Sequence, residues 1–94
     1  MGLCFAEHVA LLREAREIVS GEMRQLHRSA ACEAGSVLCL QEVARGFAEN
    51  ADLLAVALME RRAPLVRVRE VEELLDFFRA ADERLMCTLA CCKA

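Results

Sequence analysis

Apolar residues recur along this chain at three- and four-residue steps in three long stretches, the spacing that lines one face of an α-helix. In the first stretch Leu3, Phe5, Val9, Leu12, Val19, Met23 and Leu26 mark that face. Stepping about 100° per residue adds Leu11, Ala15 and Ile18 to the same half and sends Glu7, Arg13, Glu14, Glu17, Arg24 and Arg28 to the other. His8, Arg16 and Glu22 intrude on the apolar side. Gly21 follows Ser20 in the middle of the stretch, where glycine costs about 1 kcal/mol against alanine. The apolar register nevertheless continues past it, and one helix is predicted over 3–33.

Gly35 followed by Ser36 has the form of a glycine stop and then an N-cap, so a second helix is predicted over 36–62. Its polar residues Gln41, Glu42, Arg45, Glu49 and Asp52 fall within a stripe roughly 100° wide by the helical period. Asn50 apart, everything else is apolar, and Leu38, Val56 and Met59 interrupt even that stripe. A helix with so little polar surface is either central in its fold or covered by a partner. Ala63-Pro64 closes it and opens a third helix, because proline fits the first helical position and pushes its predecessor into extended geometry. In this helix, predicted over 64–92, Val68, Val71, Leu74, Leu75, Phe78, Ala81, Leu85, Met86 and Leu89 share one face, with Arg69, Glu72, Glu73, Asp76, Glu83 and Arg84 opposite.

Short connections force sequential helices to run antiparallel. The expected fold is therefore all-α, a single domain over 1–94 forming an up-down-up bundle of three long helices. Each helix spans about 40 Å at 1.5 Å per residue. So slender a bundle has much surface for little core, and the apolar excess on helix 2 predicts completion by oligomerisation or by a partner.

Composition sharpens this picture in a few places. Apolar residues make up 56% of the 94 residues and aromatics 4%, with one proline and no alternating β-branched run, which excludes a sheet. The net charge of −3 lacks the basic signature of a nucleic-acid binder. Arg61, Arg62, Arg67 and Arg69 flank the second turn, where arginines complement a helix C-terminus and keep the turn wet. The apolar run Leu53 to Met59 falls far short of the roughly 20 residues of a membrane span. Glu7, His8, Arg13 and Glu14 break any secretory signal pattern. Six cysteines without such a signal predict a cytoplasmic protein with reduced thiols.

Candidate chemistry is sparse. Arg16 and Asp82 stand at similar heights on the apolar faces of two parallel helices, and a buried charge needs an opposite partner. They are predicted to form a cross-helix ion pair that fixes register. His8 and His27 lie 19 residues apart on one helix, about 28 Å, too far to share an ion. Cys87 and Cys91 are one turn apart with Cys92 beside them; such thiolates chelate a soft cation only if a neighbour or second subunit adds ligands. Cys32 and Cys39 are the other candidates, and no CxxC occurs. The opening Met-Gly-Leu-Cys partly matches an acylated N-terminus, but position 6 is Ala where that motif has Ser or Thr.

No Gly-rich phosphate loop and no Ser-His-Asp or Cys-His constellation emerges, so neither a catalytic activity nor a cofactor is expected. The expected function is a non-catalytic helical interaction module that self-associates, most simply as a homodimer, or binds a protein partner. Leu38, Val56, Met59 and Phe77 are its expected contact residues. Two alternatives are a small thiol protein that binds metal or responds to redox state, and a secretion-type chaperone holding a client helix.

Overall fold

The computed structural model describes residues 5–29, 34–61 and 65–93, excepting the side chains of 27–29, 65, 66, 92 and 93. It consists of three helices, α1 (Phe5–Ser29), α2 (Ala34–Glu60) and α3 (Leu65–Lys93). The all-α bundle expected from the periodicity is the fold observed. α1 runs unbroken through Ser20 and Gly21. Gly35 lies inside the first turn of α2 and is not a stop before it, so the helix opens two residues ahead of the expected Ser36. Residue 33, expected to end helix 1, and Pro64, expected to open helix 3, lie outside the described residues. At its far end α2 closes with the Arg61 backbone N–H donating to the Ala57 carbonyl, 3.2 Å.

Cross-helix contacts give the directions. The Phe47 and Phe78 rings stack with centroids 5.5 Å apart, and Arg45 faces Asp82 at 3.6 Å, so α2 and α3 are antiparallel. Arg67 lies over the Phe5 ring, 5.4 Å from its centroid, and Arg13 pairs with Glu70. α1 and α3 therefore run the same way. The molecule measures 47 × 23 × 19 Å with a radius of gyration of 14.8 Å. A compact chain of this length has a radius near 12 Å, so the rod shape leaves a large surface uncovered.

The three helices are not equally close. α2 presents Val37, Gln41, Ala44, Ala48, Ala51, Ala55 and Leu58 to α3, a strict alternation of four- and three-residue steps in which all but Ala48 and Ala55 are buried. α3 answers with Val68, Val71, Leu75, Phe78, Asp82, Leu85 and Leu89 in the same rhythm. Four alanines on one side of this seam let the two backbones approach, and Cα atoms of α2 and α3 come within 8 Å along its length. α1 lies farther off and reaches that separation only locally. It caps the remaining opening with Val9, Leu12, Ala15 and Val19, all buried. Leu74 and Ala81, on the other edge of α3, complete one continuous core.

Candidate functional site

Large apolar side chains that remain exposed are the feature most in need of a physical reason. Among the described residues these are Leu11, Ile18, Leu38, Val43, Leu53, Val56, Met59 and Met86. α2 carries five of them, with Leu53 and Met59 69% and 71% exposed. Single exposed leucines are ordinary, and it is a contiguous apolar patch that marks a surface able to meet another.

The expected contact residues divide. Leu38, Val56 and Met59 are exposed, as their positions around the helix required. Phe77 is half-buried: its ring packs edge-on against Phe78 at 5.2 Å and against the core, so most of it already has a partner within the chain.

The exposed apolar residues of α2 do not form one patch. Leu38 and Val56 alternate with Glu42, Arg45, Glu49 and Asp52, whose charges keep that side wet. The flank toward α1 is different. α1 must cover the side of α2 bearing the half-buried Leu40, Phe47 and Leu54, because the opposite side, with Arg45, Asp52 and Met59, is open. Just beyond the α1-covered side stand Cys39, Val43, Gly46, Asn50, Leu53 and Ala57, every one of them exposed. On α1, Arg13 marks the edge toward α3, and the helical period places Leu11 and Ile18 on the edge toward α2. Both are exposed, Ile18 by 58%. The α1–α2 groove is thus rimmed by Val43 and Leu53 on one side and Leu11 and Ile18 on the other, with Asn50 among the first and Glu14 and Glu22 beside the second.

The expected ion pair between Arg16 and Asp82 does not form. Asp82 faces Arg45 of α2, while the carboxylate near Arg16 is its own neighbour Glu17, at 3.8 Å. The reason is rotational: Asp82 lies in the α2–α3 seam, so its side chain turns toward α2 and away from α1. Its Oδ1 is buried without a hydrogen bond, and so is Nε2 of Gln41. The antiparallel pairing sets Gln41 level with Leu85, one layer from Asp82. Gln41 was read as part of the polar outer stripe, yet it is 5% exposed. Its place four residues after Val37 and three before Ala44 was the available signal.

Cys39, Cys87 and Cys91 are free thiols on the surface, and among the described residues no three His, Cys, Asp or Glu side chains gather as a metal site. His8 is half-buried. The side chains of His27 and Cys92, like Cys32 and the Met-Gly-Leu-Cys start, lie outside the described residues. An open depression of 350 Å³ involves Cys87, Thr88, Arg84, Glu83 and Ala80; the Thr88 hydroxyl donates to the Arg84 carbonyl there at 2.9 Å. A second, of 230 Å³, lies over the α2–α3 seam, where Arg45 and Arg79 mix with Glu49, Asp52 and Asp82. No described helix is long and apolar enough to cross a membrane.

Fold and surface together define a class, a three-helix bundle with an incompletely covered apolar exterior. Set against known proteins, the chain matches no protein family, no curated protein and no solved structure.

Proposed function

We propose that this protein is a helical association module, working by binding protein through apolar surface on α2 and the neighbouring edge of α1. The observation that carries the reading is the number of large apolar residues left exposed on α2, with Val43 and Leu53 on the flank beside Leu11 and Ile18 of α1 and Leu38, Val56 and Met59 elsewhere around the helix. Interior-like composition on an outer face is costly in water and is relieved when another surface covers it. The same helix therefore serves two interfaces, one within the chain and one outside it.

Mass in solution tests the proposal. Light scattering on protein at micromolar concentration under reducing conditions is expected to give twice the chain mass of 10.5 kDa, falling toward the monomer on dilution. A strict monomer that binds no protein would refute it. The exposed thiols Cys87 and Cys91, one turn apart, favour metal binding as a second reading. Stoichiometric zinc or copper in protein purified with reductant, lost in the double serine variant, would establish it.

A further inference from the structure

We infer that a second copy of this chain docks on the α1-side flank of α2, with the two α2 helices antiparallel and a two-fold axis crossing between them at the height of Ala48. This rests on the association reading and specifies its surface, partner and direction. Cys39, Val43, Gly46, Asn50, Leu53 and Ala57 follow steps of four, three, four, three and four residues, the repeat that keeps a stripe facing another helix. α2 thus carries this rhythm twice, once toward α3, where it is filled, and once outward, where all six residues are exposed.

The flank is complementary to its own reversed copy. An isologous contact requires that residue i meet j while j meets i. Antiparallel pairing centred at position 48 sets Cys39 against Ala57, Val43 against Leu53 and Gly46 against Asn50, each pairing occurring twice. Two small residues meet, two large ones meet, and the polar Asn50 lies over a glycine. Parallel pairing instead stacks Gly46 on Gly46 beside Leu53 on Leu53, layers that demand different helix separations.

Gly46 is compatible with this arrangement. A Cβ built there meets nothing within 4 Å, as is also true at Gly21 and Gly35, so the 27-residue helix is open at this point to close approach by a second backbone. Area is also sufficient. A strip about 27 Å long and one helix wide, doubled by the adjacent α1 edge with Leu11 and Ile18, amounts to roughly 600 Å² per subunit. The total of about 1,200 Å² reaches the lower bound of stable interfaces.

The test is a directional cross-link. Cys4, Cys32, Cys87, Cys91 and Cys92 are replaced by serine, leaving Cys39, and Ala57→Cys is added in a second protein. Positions 39 and 57 are about 27 Å apart on one helix, so a short bis-maleimide joins them only between chains. The expected result is covalent dimer from the protein containing Ala57→Cys and none from the protein with Cys39 alone. Dimer from Cys39 alone would overturn the antiparallel arrangement. A dimeric mass with no cross-link in either protein would overturn the flank while leaving association standing, and a monomeric mass would overturn both.

If the serine variants do not fold, Gly46→Leu in the unaltered chain provides the readout. Helix content and monomer melting temperature should hold or rise, because leucine favours helix over glycine, while the dimer dissociation constant rises at least tenfold. An unchanged dissociation constant would refute the inference.

Discussion

Replacing Gln41 by methionine should make this protein more stable. Gln41 lies in the α2–α3 seam with 5% of its surface exposed, and its amide Nε2 is buried without a hydrogen-bond partner. An orphaned buried donor costs about 1–3 kcal/mol relative to one that is satisfied or absent. Methionine keeps the unbranched shape and adapts to irregular space, so the substitution removes the orphan without opening a cavity. The expected gain is about 1–3 kcal/mol. For a domain of this size each kcal/mol moves the melting temperature by roughly 4–8 °C. Urea unfolding followed by circular dichroism, at one fixed protein concentration so that association contributes equally, reads the difference as a shift in midpoint at constant slope. Gln41→Glu supplies the contrast. It buries a carboxylate one layer from Asp82, and a buried charge without a partner costs several kcal/mol, so the midpoint should fall. Loss of stability in Gln41→Met would refute the reasoning, because it would mean that the amide is satisfied in the folded protein.

Other substitutions separate the core from its decoration. Phe78→Ala removes a fully buried ring that packs on Phe47 and Phe77. It should cost about 3–5 kcal/mol, a large share of the roughly 5–15 kcal/mol that holds a domain together, and thermal unfolding will show it. Arg13→Ala breaks the pair with Glu70, but Arg13 is 60% exposed, so urea unfolding should show a change below about 1 kcal/mol. In the proposed antiparallel dimer Glu49 would come close to its own copy at the rim, so Glu49→Gln should tighten the dimer severalfold in sedimentation equilibrium at low salt, and the gain should shrink as salt is added.

Helical period made the architecture legible. Val71, Phe78 and Leu85 are buried where their spacing put them, and the few residues between successive helices favoured antiparallel neighbours. The pairing of Asp82 was not legible, because height along the rod allowed both Arg16 and Arg45. The choice depends on how α3 is rotated about its axis, and that is decided by which neighbour its seam residues face. The flank from Cys39 to Ala57 was equally hidden. Its rhythm is carried by small residues that look like filler until exposure shows nothing in front of them, whereas Leu38, Val56 and Met59 stand out in a sequence by bulk alone. Phe77, expected as a contact residue, is half-buried with its ring against Phe78.

The alanines between α2 and α3 also bear on how the protein opens. Alanine has no rotamers to freeze, so forming this hairpin loses little side-chain entropy, and its partners are close in sequence, which favours rapid closure. α1, set at greater distance, is the element that detaches at lowest free energy. Amide exchange should therefore resolve two tiers of protection, with the α2–α3 hairpin persisting after α1 has released. Release of α1 would carry Leu11 and Ile18 away from the α2 flank, so the strength of that attachment sets how long the two-helix rim persists.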